Sequence, residues 1–215
     1  MQAARREKGW NAMTDIKSIG VVGAGQMGNG IAHVLALAGY AVRLNDINES
    51  RIADARETIA KNMQRQVAKD LLTAETREKA LASITPAASL QDLADCDLVI
   101  ESATENQEIK KKIFRELSAL VKREAILATN TSSISITGLA ASTDRPDRFI
   151  GLHFMNPAPV MQLVEVIRGI ATSRETFEAA RALVARAGKT IAVSEDFPAF
   201  IVNRILMPMI NEAIY

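Results

Sequence analysis

Cysteine is all but missing from this 215-residue chain, and histidine is scarce: there is one of the former and two of the latter. A single thiol excludes an intramolecular disulfide framework and any cysteine-based zinc cluster. That thiol, Cys96, lies between Asp95 and Asp97, whose charges disfavour a thiolate, so it reads as a structural group. A chain-wide charge of one sign is lacking too. Twenty-six Lys and Arg against 25 Asp and Glu leave a formal net charge of +1, which excludes a broad basic field for nucleic acid. With 48% hydrophobic residues, disorder is also excluded. No apolar run reaches the ~18 residues of a membrane-crossing helix, and no internal repeat or low-complexity tract is visible. These features fit a globular chain of a reducing, cytoplasmic compartment, long enough for one substantial core and part of a second lobe.

What is present concentrates near the beginning. An apolar run, Ser18 to Val22, ends in Gly23-Ala24-Gly25-Gln26-Met27-Gly28 and flows into an Ala/Leu-rich helical pattern. In a Gly-x-Gly-x-x-Gly turn of this kind the first glycine permits the tight turn, the second lets the backbone approach a pyrophosphate, and the third lets helix and strand pack closely. The amides of the helix N-terminus then face the phosphates, where the helix dipole favours negative charge. Asp46 closes the next apolar run. A carboxylate there accepts hydrogen bonds from both ribose hydroxyls and repels a 2′-phosphate, which favours NAD over NADP. The alternative role for Asp46 is that of a turn or cap residue ahead of Glu49. Arg51 is the nearest cation.

Apolar runs alternate with helical periodicity, the pattern of a mostly parallel sheet covered by helices. Strands are expected at 18–22, 41–45, 98–101, 126–128, 150–152, 161–167 and 190–193. Helices are expected at 26–38, 49–72, 73–81, 106–121, 174–187 and 199–215. The second and third form an antiparallel pair inserted into the crossover. Lys61, Arg65 and Lys69 fall four apart on the polar face of the long helix, as a solvated stripe or as a patch for a phosphorylated substrate tail. Residues 1–12 carry Arg5, Arg6, Glu7 and Lys8 and read as an extension or tag. A dinucleotide-binding domain is then expected over 13–195, with 196–215 as a hinge and the first helix of a helical lobe. The apolar side of that helix needs a partner surface, so the chain is expected to continue beyond Tyr215.

His33 sits inside the first helix, where a packing role fits. His153 follows an apolar strand, in Gly151-Leu152-His153-Phe154-Met155-Asn156-Pro157, and strand ends of a doubly wound sheet open onto the ligand crevice. A general base there needs an acceptor for its second ring nitrogen. Glu165, between Val164 and Val166, would need a partner if buried, and His153 would supply one. Base with orienter and structural hydrogen bond both remain open for the pair. Thr129-Asn130-Thr131-Ser132-Ser133 is either a helix-cap and turn cluster or a set of donors for a substrate oxygen. No Gly-x-Ser-x-Gly elbow supports a nucleophilic serine. Asn203, amid apolar neighbours, requires a buried partner.

Assembled, these residues resemble the 3-hydroxyacyl-CoA dehydrogenase family, most closely its single-function 3-hydroxybutyryl-CoA dehydrogenase branch, over about Ile16 to Tyr215. The motifs that carry the resemblance are the glycine turn, Thr104-Glu105-Asn106, Asn130-Thr131-Ser132-Ser133, Gly151–Pro157, and Phe200-Ile201-Val202-Asn203-Arg204. The resemblance implies a Rossmann-like doubly wound α/β sheet with an inserted helix pair and the start of an all-helical C-terminal domain. It implies an NAD-dependent oxidoreductase acting on a short-chain (S)-3-hydroxyacyl-CoA. His153 is then the base, Glu165 its orienter, and Ser132 and Asn203 the groups that hold the substrate oxygen. The implied cofactor contacts are Gly23, Gly25, Gln26, Met27, Gly28, Asp46, Glu105, Lys110, Asn130 and Asn156. Lys69 would meet the coenzyme A moiety, and homodimerisation would run through the helical domain. Two other readings remain: a dehydrogenase of a polar hydroxy acid such as L-gulonate, and a non-catalytic cofactor-binding fragment.

Overall fold

A computed structural model describes residues 16–214 of the chain. The expected extension at 1–12 lies outside the described residues. From the N-terminal side, β1 (Ser18–Val22) leads through the glycine turn into α1 (Gln26–Leu37), and β2 (Ala41–Asn45) into α2 (Glu49–Val67), α3 (Ala74–Ala82) and β3 (Ile84–Ala87). There follow β4 (Leu98–Glu101), α4 (Gln107–Leu120), β5 (Ile126–Thr129), α5 (Ile136–Ala140), β6 (Phe149–Phe154), β7 (Leu163–Arg168), α6 (Arg174–Arg186), β8 (Thr190–Glu195) and α7 (Val202–Ile214).

One eight-stranded sheet runs β3-β2-β1-β4-β5-β6-β7-β8. Its pairings are parallel except β6–β7, which is antiparallel. The strand order reverses between β1 and β4, the point at which open α/β sheets leave a ligand crevice. Successive side chains alternate between the faces, so Leu98 and Ile100 join one core cluster with Ile31, Leu35, Ile59 and Met63. Val99 joins the other, with Phe114, Leu117, Phe149 and Ile167. Both faces are therefore closed by helices. Ile59 and Met63 are fully buried, each contributing about 1.5–3 kcal/mol of transfer free energy. Cys96 is buried as well, and burial pushes its thiol up to about 11, in keeping with an inert structural role.

Several boundaries differ from expectation. The helix expected over 49–72 stops at Val67, because Asp70 adopts a left-handed φ of 55°. The Asp70 amide donates to Val67 O and the Leu71 amide to Gln66 O, a Schellman closure with aspartate in the usual glycine place. The last helix starts at Val202 rather than Ala199, since Ala199 and Phe200 have φ of 67° and 50°. Strand β3 was hidden by Pro86, which an edge strand tolerates. Helix α5 is too short to carry a helical period and owes its N-terminus to tertiary contacts described below.

Candidate active site

The glycine turn shows directly why each glycine is needed. A Cβ on Gly23, whose φ is 98°, would lie 2.6 Å from Ala103 Cα, and one on Gly28 would lie 1.7 Å from Gly23 O. Neither position admits a side chain. At Gly25, by contrast, a Cβ would meet no protein atom within 4 Å. That space lies at the N-cap of α1, which carries no side-chain cap and no acidic residue in its first turn. Exposed Gln26 and half-buried Met27 form that turn. Unclaimed amides facing open space fit the pyrophosphate of a dinucleotide.

At the end of β2, buried Asp46 accepts the Ala24 amide on Oδ2 at 2.9 Å and the Asn48 amide on Oδ1 at 3.2 Å. Beside it opens a cavity of about 550 Å³ whose lining includes Gly23, Asp46, Ile47, Ile109 and Ile113. Ile47 is fully exposed and Ile109 about half exposed, two apolar walls left facing solvent at the mouth of a nucleoside-sized space.

A second cluster lies at the ends of β4 and β5. Glu101 and Lys110 are both fully buried and form a 2.5 Å ion pair. The Lys110 ammonium also donates to Thr129 Oγ1 at 3.3 Å and to Asn130 O at 3.2 Å, and lies 3.8 Å from Glu105. With no exposed surface, Lys110 faces the crevice only through these partners in this structure. Glu105 accepts from Thr131 Oγ1, the Ser132 amide and Ser132 Oγ at 2.7, 2.7 and 2.9 Å on one oxygen. Partial burial raises its carboxyl, but those bonds and the Lys110 charge outweigh it and hold Glu105 below the ordinary range. Asn130 Oδ1 accepts the Phe154 amide at 3.0 Å, tying this loop to the end of β6.

The antiparallel β6–β7 register sets His153 directly opposite Glu165. His153 Nδ1 lies 2.6 Å from Glu165 Oε2, with the imidazole 12% exposed and the carboxylate fully buried. An ionised carboxylate only accepts, so the ring carries a hydrogen on Nδ1, and the neutral imidazole in that tautomer has its lone pair on Nε2. The other oxygen of Glu165 accepts the amides of Ile201 and Val202, each at 2.9 Å. Burial works to raise the Glu165 carboxyl, but His153 and the two amides prevail and hold it below its usual value. The same α7 terminus brings Asn203 Nδ2 to 3.2 Å from Ser132 O. Phe200, also buried, tilts against His153 with ring centroids 6.2 Å apart.

His153, Glu165, Ser132, Asn203, Glu105 and Asn130 thus form one connected network. Asn156, exposed, lies in the loop just past β6. Lys69 sits in the turn just past α2, exposed, while Lys61 pairs with Glu57 at 2.6 Å. His33 is buried between α1 and α2 with Nε2 3.2 Å from Gln66 Oε1, and desolvation lowers its pKa, as a packing histidine requires. Sequence reasoning gave Glu101 no role, although it ends an apolar strand just as Asp46 does. Among the described residues no group of His, Cys, Asp or Glu could hold a metal ion, and no helix is long and apolar enough to cross a membrane.

Among known proteins, the NAD binding domain of the 3-hydroxyacyl-CoA dehydrogenases matches residues 18–197. A 3-hydroxybutyryl-CoA dehydrogenase of Bradyrhizobium diazoefficiens is 65% identical over 200 residues, covering 93% of this chain and 68% of that protein. A probable 3-hydroxybutyryl-CoA dehydrogenase of Deinococcus radiodurans is 50% identical over 195 residues, covering 91% and 70%. The crystal structure of (S)-3-hydroxybutyryl-CoA dehydrogenase from Ralstonia eutropha is similar at a TM-score of 0.91 and 48% identity, over 93% of this chain and 70% of that one.

Proposed function

The chain belongs to the 3-hydroxyacyl-CoA dehydrogenase family and is an NAD-dependent oxidoreductase; from that premise we propose that it interconverts a short-chain (S)-3-hydroxyacyl-CoA and its 3-keto counterpart, with 3-hydroxybutyryl-CoA and acetoacetyl-CoA as the reference pair. The observation that carries this reading is the 2.6 Å contact of His153 with buried Glu165, beside the Ser132–Asn203 contact. When bound, NAD would supply the hydride acceptor; Gly23, Gly25, Gln26, Met27, Gly28 and Asp46 would hold it, with Glu105, Asn130, Asn156 and, through its partners, Lys110 completing the set.

The chain's own part is proton and charge management. His153 Nε2 takes the proton of the C3 hydroxyl as that carbon is oxidised, and the imidazolium formed is stabilised by Glu165. In the reverse direction the imidazolium returns the proton to the carbonyl oxygen. General-base help of this kind is worth about 10²–10⁴ in rate. Asn203 donates one amide hydrogen to Ser132 O and keeps its second for the substrate oxygen. Ser132 turns its hydroxyl from Glu105 to that same oxygen. Both donors act most strongly as negative charge develops there.

The NAD-binding domain over 13–195 leads into a helical region from 196 onward. Ile205, Met207, Met209 and Ile214 of α7 are each more than half exposed, which supports association of two copies through that region. Lys69 serves the coenzyme A moiety, and the reaction belongs to short-chain (butanoate) fatty acid metabolism in the cytoplasm. The test is NADH oxidation with acetoacetyl-CoA, repeated with longer 3-ketoacyl chains, alongside NAD reduction with L-gulonate. Turnover of acetoacetyl-CoA is expected; gulonate turnover with none of acetoacetyl-CoA would overturn the assignment.

A further inference from the structure

The segment between β8 and α7 carries an acid that touches neither the crevice nor the dyad. Asp196 accepts Ser135 Oγ and the Thr137 amide on Oδ2 at 2.7 and 2.8 Å, and the Ile136 amide on Oδ1 at 2.9 Å. It therefore caps α5, the helix that begins directly after the Ser132 loop. Seven residues further on, Asn203 returns to the same loop at Ser132 O. Between the two, Phe200 is buried in the cluster that holds Ile136 and Ile167. The chain from Asp196 to Asn203 and the chain from Ser132 to Thr137 are thus stapled at both ends.

We propose that Asp196 is a positioning residue that sets the reach of Asn203 toward Ser132, and so the geometry of the Asn203 donor aimed at the substrate oxygen. The physical case is one of reach and strain. Ala199 and Phe200 occupy the left-handed region, at φ of 67° and 50°, which non-glycine residues hold only when their surroundings impose it. Asp196 fastens the near side of that turn and Glu165 Oε1 the far side, through the Ile201 and Val202 amides. With the Asp196 bonds removed, the turn is free to relax toward ordinary dihedrals and to carry Asn203 with it. Its carboxyl is held below the usual carboxylate range: partial burial works upward but is outweighed by the Thr137, Ser135 and Ile136 donors, so all three bonds are made by the charged form.

This inference rests on the roles proposed above for Ser132 and Asn203, and the test separates the two. Asp196→Ala, Asn203→Ala and the double variant are assayed for NADH oxidation by acetoacetyl-CoA, with NADH affinity measured by fluorescence. A donor misplaced by about 1 Å loses rate by roughly 10²-fold, so Asp196→Ala should lower kcat by about that factor with NADH affinity unchanged. The double variant should be no slower than Asn203→Ala alone, since a misplaced donor cannot be lost twice. Asp196→Asn, which keeps an acceptor for the Ile136 amide, should fall between wild type and Asp196→Ala. The pH profile of kcat should keep its midpoint in Asp196→Asn, because the dyad is untouched. Multiplicative losses in the double variant, or an unchanged kcat in Asp196→Ala, would overturn the proposal, as would loss of NADH binding in both Asp196 variants. An Asn203→Ala variant of normal rate would instead overturn the role of Asn203 itself.

Discussion

Replacing Glu165 by glutamine separates the charge of the buried carboxylate from its shape. The glutamine oxygen can still accept the Ile201 and Val202 amides that Glu165 Oε1 accepts at 2.9 Å. Its nitrogen, however, then faces His153 Nδ1, where the carboxylate oxygen lay at 2.6 Å. An amide N–H only donates, so the imidazole must put its hydrogen on Nε2, the atom proposed above to receive the substrate proton. Inverting the tautomer in this way lowers kcat by about 10⁴ in a serine protease triad, which is about 5.4 kcal/mol at 1.36 kcal/mol per factor of ten. A loss of that order is expected here. The effect on stability is smaller. Three charge-assisted bonds of about 1.5–3 kcal/mol become neutral bonds of about 0.5–1.5, a loss of about 3–4 kcal/mol in all. The variant should stay folded and bind NADH normally, because the glycine turn and Asp46 lie on other strands. Glu165→Ala should be less stable, since it leaves two amides and an imidazole without acceptors at about 1–3 kcal/mol each. Single-turnover oxidation of bound NADH by acetoacetyl-CoA reads the chemical step, and a fluorescence titration reads binding. A Glu165→Gln enzyme within about tenfold of wild-type kcat would refute the tautomer argument.

Three further outcomes follow from the geometry. Burial works to raise Asp97, but Lys122 and the Lys17 and Ser18 donors outweigh it and hold the carboxyl at about 2. A depressed pKa stabilises the fold above the unfolded value, near pH 4, and that contribution fades as pH falls toward 2. Urea unfolding at about pH 5 and about pH 3 should therefore show wild type losing about 1 kcal/mol more than Asp97→Asn; equal losses would sink the assignment. Ala199, at φ 67°, bears about 1–2 kcal/mol of left-handed strain that glycine lacks, so Ala199→Gly should raise stability by about 0.5–1 kcal/mol. A lower melting temperature would show that the methyl group packs usefully. Lys69→Ala should raise KM for acetoacetyl-CoA at low salt and leave kcat alone, because a remote contact binds ground and transition states alike. An unchanged KM would leave Lys69 a solvated charge.

Local rules govern the parts of this fold that the residue pattern announces. The glycine turn, the acid ending β2, the parallel alternation of strand and helix, and the inserted helix pair all depend on neighbours a few residues apart. Glycine at Gly23 and Gly28 is demanded by close backbone approach, and the amphipathic spacing of α2 by one buried face, so the residue pattern announces both. The dyad was legible only as a possibility. His153 and Glu165 are twelve apart, and what makes them neighbours is the reversal of β7 against β6, which alone of the pairings is antiparallel. A one-residue slip in that register would turn Glu165 to the opposite face.

The end of α2 and the start of α7 were misread for a related reason. Asp70 takes the left-handed position usually left to glycine through bonds within its own turn, whereas Ala199 and Phe200 run directly into amides that Glu165 holds from another strand. Glu101 and Lys110, Asp196 and α5, and the amides of Ile201 and Val202 on Glu165 likewise join segments far apart in the chain. Fold class, cofactor and the residues with chemistry to offer follow from short-range pattern and side-chain type, and so are written in the order of residues. Which of them meet is settled by the folded chain, since a buried charge selects its partner by distance and burial, and neither is defined until the strands have paired.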